Sequence, residues 1–239
     1  MIRQAVIPDR WKVFSGSSLK LIAVISMFID HVGVHLVDQG IILVQIGEYK
    51  LTLYRLMRDL GRFAFPIFCF LLIEGFLHTR NKVRYGISLA ALAVISEIPF
   101  NLEHTGKLFY NVQNVFFTLL LGYLAMCAIE RFREKPLLVL LCLLGLTAVC
   151  YYLYADYWMQ GFAFILLLYA LRGQMVLRIF PALILNNFRF SMLAFLPISL
   201  YNGKRGFVRG AFLKCLFYFI YPLHIFIIYL IKLNLGYFT

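Results

Sequence analysis

SLKLIAVISMFIDHVGVHLVD, residues 18–38, is long and apolar enough to cross a bilayer as one helix. Its second half nevertheless carries Asp30, His31 and His35. An ionisable side chain at that depth costs roughly 2.5–3.5 kcal/mol on insertion scales, so it marks a functional site by default. Lys20 and His31 stand eleven positions apart. At about 100° per residue that spacing returns to nearly the same helix face, roughly 16.5 Å along the axis. One helix thus carries a cation near one membrane face and an imidazole near mid-membrane, both turned the same way. The chemistry is expected here.

The remainder of the chain has the same character. Its 239 residues are 62% hydrophobic and only 14% charged, with a mean hydropathy of +0.83. A soluble domain of this size has no use for so much apolar surface, whereas a multi-pass membrane protein does. The expected organisation is an N-terminal cytoplasmic segment, 1–17, and a single transmembrane domain, 18–239. The net charge of +12 does not point to nucleic acid, because the cations sit in short loops between apolar runs. That placement signals topology and contact with anionic lipid. The five cysteines lie in apolar segments without CxxC pairing and read as small buried hydrophobes. The first span has no small-residue cleavage site after it and reads as a retained signal anchor.

In order, Ser17 or Ser18 caps the first span, which runs to about residue 37. A mixed, partly amphipathic connector covers 39–57. Further spans are expected near 60–77, 84–100, 114–130, 136–154, 157–171 and 212–231. The stretch 176–201 reads as two short spans broken at Asn186-Asn187, or as one tilted helix. The fold class is all-α, a polytopic bundle of about nine transmembrane helices (eight to ten). With nine, one side of the membrane holds Arg3, Arg10, Lys12, Lys20, Arg80, Lys82, Arg84, Arg131, Arg133, Lys135, Arg172, Arg178, Lys204, Arg205, Arg209 and Lys214. The other side keeps seven of the 23 cations. The positive-inside rule then puts the N-terminus in the cytoplasm.

This topology sorts the polar groups into two sets. An outer set contains His31, His35, Arg62, Glu97, Asn114 and Asp156, with Asp30 at mid-membrane. An inner set contains Lys20, Glu74, His78 and Arg80. Two sets joined through a bundle suit a reaction that takes one substrate from each side. Plainer readings stand beside this one. Arg62 with Glu97 or Asp30 makes an obvious structural ion pair, and Glu74 with His78 can satisfy a helix end. Tyr221-Pro222-Leu223-His224 reads as a kink with a polar neighbour. No GxGxxG, P-loop, GxSxG, HExxH or paired CxxC occurs, and no metal-ligand cluster is evident. A transporter and a membrane-embedded transferase remain.

LKLIAVISMFIDHVGVHL, LGRFAFPIFCFLLIEGFLHTR, SEIPF, NVFFTLLLGYLA and NGKRG…FYFIYPLHIFIIYLI together resemble the TraX family of bacterial membrane proteins, over nearly the whole chain. That family is named for a pilin N-terminal acetylase. It is similar to the broader transmembrane acyltransferases, whose first span carries Arg/Lys-x10-His; here the motif falls on Lys20 and His31. The resemblance implies acetyl-CoA on the cytoplasmic side as acyl donor, and a peptide N-terminus or glycan hydroxyl as acceptor. It implies a protein of the bacterial cell membrane; the residues themselves lead to the expectation of no metal and no nucleic acid partner.

Chemistry agrees with that mapping. A neutral imidazole suits the deprotonation of an amine or hydroxyl near pH 7. The expected catalytic group is therefore His31 with Asp30, Arg62 and Glu97, Arg62 or Asn114 being suited to a developing oxyanion. Lys20 and Arg80, with Lys82 and Arg84, suit the coenzyme A phosphates; Glu74, His78, Asn114 and Asp156 complete the expected substrate-binding set. Adjacent helical residues point about 100° apart, so Asp30 is equally placed to face a different helix. A proton-coupled transporter relaying protons through Asp30, His31 and Glu97, and a non-catalytic assembly factor for surface appendages, are the alternatives.

Overall fold

The structure, a computed structural model, describes residues 7–174, 176–185, 188–208 and 210–237. It is mostly helical, as a chain must be when its backbone hydrogen bonds have to close within each apolar segment. The helices are α1 (Gly16–Leu36), α2 (Leu53–Gly61), α3 (Ala64–His78), α4 (Lys82–Thr105), α5 (Val115–Arg131), α6 (Pro136–Leu153), α7 (Trp158–Ala170), α8 (Phe188–Leu193), α9 (Phe195–Ser199) and α10 (Gly210–Asn234). Among the described residues, five stretches are long and apolar enough to cross a membrane: Gly16–Leu36, Leu53–His78, Lys82–Thr105, Pro136–Leu153 and Cys215–Asn234. α5 and α7 have 17 and 13 residues and are shorter than these.

Two regions depart from the sequence reading. The connector 39–57 contains an antiparallel hairpin, β1 (Ile42–Ile46) with β2 (Tyr49–Thr52), and then α2. Its two-residue turn has positive φ at Gly47, +60°, as a type II′ turn requires of its first central residue. Thr52 ends the strand and caps α2, its hydroxyl accepting from the Arg55 amide at 3.2 Å. The stretch 176–201 is not one tilted helix. It holds a 3-10 segment (Leu177–Ile184), α8 and α9, while Asn186-Asn187 and the cations Arg3 and Arg209 lie outside the described residues.

The chain forms two compact units, and the boundary between them falls inside α3. One comprises residues 69–185. Here α5 packs on α4, α6 and α7, around Leu121, Ala125, Cys150 and Phe162. Gly122 lets α5 and α7 close up, since a Cβ there would come within 2.7 Å of the Ile165 side chain. The α6–α7 turn carries positive φ at Tyr154, Tyr157 and Trp158, and is tied to the start of α5 by a bridge between Gln113 and Ala155. α6 leaves Leu137, Leu140, Leu141 and Leu144 exposed, a face suited to lipid.

The other unit comprises the described residues of 7–68 and 188–237. In it α1 packs on α2 and on α10. Small residues set the α1–α2 approach: a Cβ on Gly33 would lie 2.7 Å from Met57 Cβ, and one on Gly61 would collide with Asp30. The Ser26 hydroxyl donates to the Leu60 and Gly61 carbonyls at 2.7 and 3.2 Å, meeting the end of α2.

Candidate active site

The site is built along α1 from its N-terminus. Ser15 caps the helix, its Oγ accepting from the Ser18 amide at 3.2 Å. The segment Asn202-Gly203-Lys204-Arg205-Gly206 lies against this first turn. Its Lys204 and Arg205 carbonyls accept from the Gly16 and Ser17 amides at 2.8 and 2.9 Å. The Ser17 hydroxyl donates to the Arg205 carbonyl at 2.7 Å and accepts from the Val208 amide at 2.8 Å. Gly206 has φ +86°, and a Cβ there would run into Ser15. The glycines thus let a basic loop close on the helix start. Lys204 and Arg205 are exposed, whereas Lys20 is half-buried with its ammonium 5.6 Å from the centre of the Phe217 ring.

Further along, Asp30 turns away from His31 toward α2. Its Oδ2 accepts from Arg58 Nη1 at 2.7 Å, while Oδ1 is buried without a hydrogen bond. Arg62, one turn beyond Arg58, has a buried Nε that is also without one. The ion pair proposed for Arg62 is therefore made by Arg58, because Gly61 leaves room for Asp30 against that part of α2.

His31 meets α10. Its Nδ1 lies 2.6 Å from Nε2 of His224, whose own Nδ1 lies 2.8 Å from the Ile220 carbonyl. His224 is only 2% exposed. Its ring centre lies 4.8 Å from that of Phe28 and 5.6 Å from that of Tyr221. His35, one turn along α1, is edge-on to His31 at 6.1 Å. His224 was read from sequence as the polar neighbour of a proline kink. The available signal was that an imidazole in a second apolar span carries the same burial cost as the one in the first.

The remaining predicted residues belong to the unit of residues 69–185. Glu97 Oε2 accepts from Asn114 Nδ2 at 2.6 Å, and the same amide group donates to the Ala93 carbonyl at 2.8 Å. Asn114 Oδ1 accepts from the Phe116 amide, capping α5. Asp156 accepts from the Tyr157 amide at 2.9 Å through Oδ1, and its carbonyl accepts from the Thr118 hydroxyl. Glu74 Oε2 lies 3.8 Å from His78 Nδ1, which also donates to the Glu74 carbonyl at 2.9 Å. Arg80 is exposed. Lys82 pairs with Glu130 and lies 4.1 Å from the Phe76 ring centre. Glu103, 1% exposed and 2.8 Å from His104, was not singled out from the sequence.

The family model described as TraX protein matches residues 15–232. Among curated proteins, the chain is 30% identical over 241 residues to one described as a probable fimbrial assembly protein FimC, serogroup H1, of Dichelobacter nodosus. That alignment covers 89% of this chain and 93% of the relative. No solved structure matches.

Proposed function

This chain belongs to the TraX family, and from that premise we propose that it is a multi-pass acyltransferase of the bacterial cell membrane, moving acetyl from acetyl-CoA to an exported acceptor. The observation that carries the reading is the arrangement along α1. A half-buried imidazole, His31, sits eleven residues above Lys20, and a basic loop closes on the same helix start. An anionic thioester donor and a base to activate its acceptor need those two features in that order.

The step balances simply. The acceptor's N–H or O–H gives its proton to His31 as its nitrogen or oxygen attacks the thioester carbonyl. The C–S bond then breaks, and the departing thiolate takes that proton. Arg62 is the charge proposed to stand by the developing oxyanion. Lys20, Lys204 and Arg205 are proposed for the donor's phosphates. The contacts of Glu97 with Asn114 and of Asp156 with its own turn favour structural roles for these three. The relative's description as a fimbrial assembly protein supports an exported pilin-like peptide as acceptor, ahead of a glycan hydroxyl. In the proposed topology the N-terminus is cytoplasmic and the chain crosses about nine times.

The test is acetyl-CoA-dependent labelling of a pilin-like peptide by the purified protein, alongside thermal stabilisation by acetyl-CoA, since a ligand of the folded state raises its stability by mass action. Stabilisation together with labelling that His31→Ala abolishes supports the reading. No stabilisation at millimolar acetyl-CoA overturns it in favour of a transporter. The relative's name also favours a second reading, a non-catalytic assembly factor. Appendage assembly that survives His31→Ala and Arg62→Ala together would establish that one.

A further inference from the structure

We propose that His224 is a positioning residue that holds His31 in the tautomer whose lone pair lies on Nε2. The proposal builds on the reading of His31 as the general base. It starts from a group whose role is fixed: the Ile220 carbonyl can only accept, so the 2.8 Å contact to His224 puts a proton on His224 Nδ1. A neutral imidazole with a proton there carries its lone pair on Nε2. With both rings neutral, His224 Nε2 accepts and His31 Nδ1, 2.6 Å away, donates. By the same rule the lone pair of neutral His31 lies on Nε2.

The ring geometry makes this contact a directional one. The two ring planes differ by 8° and their centres are 4.9 Å apart. A five-membered ring with C–N bonds of about 1.33 Å has a radius of about 1.2 Å. The 2.6 Å contact and two such radii account for the whole separation. The imidazoles therefore lie edge to edge in nearly one plane, with the N–H aimed along the lone pair. Stacked faces at that spacing would not bring two ring nitrogens so close. His224 itself is held by the Ile220 carbonyl, by Phe28 on α1 and by Tyr221 one turn back along α10. It is fixed, and it fixes its neighbour.

This arrangement suits a base that must cycle. When His31 takes a proton on Nε2, its Nδ1–H keeps the same bond to His224, so neither ring has to move. His224 orients without adding a carboxylate's charge, the part usually assigned to a third group in such arrangements. Asp30, adjacent in sequence, is engaged by Arg58 and is not needed for it.

The test reads the tautomer itself. Protein labelled with 15N-histidine, in detergent and mildly alkaline buffer, is examined by long-range nitrogen–proton correlation, with the His31 signal assigned by its loss in His31→Gln. The wild type is expected to show a protonated Nδ1 and a bare Nε2 at His31. In His224→Leu the His31 signal should move toward the Nε2–H form that free neutral histidine prefers, whereas His224→Gln, which keeps an acceptor, should hold it in place. Transfer from acetyl-CoA should fall 10- to 100-fold in His224→Leu and recover in part in His224→Gln, with thermal stabilisation by acetyl-CoA unchanged in both. A wild-type His31 protonated on Nε2, or a tautomer unmoved by His224→Leu, overturns the proposal. The wild-type spectrum decides even where a variant fails to fold. Because that spectrum requires no turnover, a bare Nε2 in a protein that transfers nothing would reject the function and leave the positioning intact.

Discussion

The two units treat buried polarity differently. In residues 69–185 the polar groups mostly answer to backbone: Asn114 holds the Ala93 carbonyl and the Phe116 amide, Asn101 the Leu108 carbonyl, Tyr123 the Lys82 carbonyl, Thr118 the Asp156 carbonyl. These bonds fasten helix ends and turns. Along α1 the pattern changes midway. Ser17 and Ser26 still meet carbonyls, but Asp30 and His31 each meet another ionisable side chain, Arg58 and His224. Buried side-chain atoms without a hydrogen bond occur in both units: Asp30 Oδ1 and Arg62 Nε here, and Ser96 Oγ, Asn101 Oδ1 and Arg178 Nε in residues 69–185. A group bound to backbone is committed to the fold, because its partner is always present. Groups bound to other ionisable side chains retain protons to exchange; the proposed chemistry uses the α1 pair, and Glu103 with His104 in residues 69–185 is a pair of the same kind.

The comparison is tested hardest by the residue with most at stake. His31→Ala should lower acetyl transfer per folded molecule by about 10²–10⁴-fold, with a stability loss of about 1–3 kcal/mol from the stranded His224 nitrogen; a stability loss with transfer intact would erase the distinction between the units. Next come the partners of the α1–α2 ion pair. Asp30→Asn or Arg58→Met alone should destabilise by about 3 kcal/mol, since each strands a buried group, and the double variant should recover part of that loss. Purely additive effects in that cycle would show that the pair does not interact in the folded protein.

Backbone-directed groups should behave oppositely. Asn114→Ala removes a helix cap and the 2.6 Å side-chain hydrogen bond to Glu97, so about 2 kcal/mol of stability should go, with the transfer rate per folded molecule unchanged. A selective loss of turnover there would return Glu97 and Asn114 to the catalytic group. Gly61→Ala tests the α1–α2 contact by packing alone and should cost about 1–3 kcal/mol, because its methyl competes with Asp30 for space. The smallest effect is expected at Lys82→Met. Both side chains of the Lys82–Glu130 pair are more than a third exposed, and such pairs contribute about 0–1 kcal/mol. Thermal unfolding in a single detergent ranks the stability effects on one scale.

Much of the fold was legible from composition and spacing. Helices found at 82–105, 136–153 and 158–170 fall within a few residues of the spans read at 84–100, 136–154 and 157–171, because a long apolar run has one way to satisfy its backbone. The hairpin at 42–52 was not legible. Its apolar residues are too few to separate a strand from a helical turn, and Gly47 with Thr52 set the outcome through local backbone geometry. The site was legible in part. A carboxylate and an imidazole in one apolar helix are visible in any reading, whereas their partners lie 28 and 193 residues away in the chain.

By itself, then, the sequence determined that this chain has several helices able to cross a membrane, that α1 is the costly one, and that Lys20 and His31 share a face. Those properties follow from hydropathy and helical period, which are local. Only the tertiary structure decided that Asp30 belongs to Arg58, that His31 belongs to His224, and that the Lys204-Arg205 loop closes on the start of α1. Partner choice depends on which helices meet and at what distance. Gly33, Gly61 and Gly206 set those distances by having no side chain, and a missing side chain shows its effect only once a neighbour is in place.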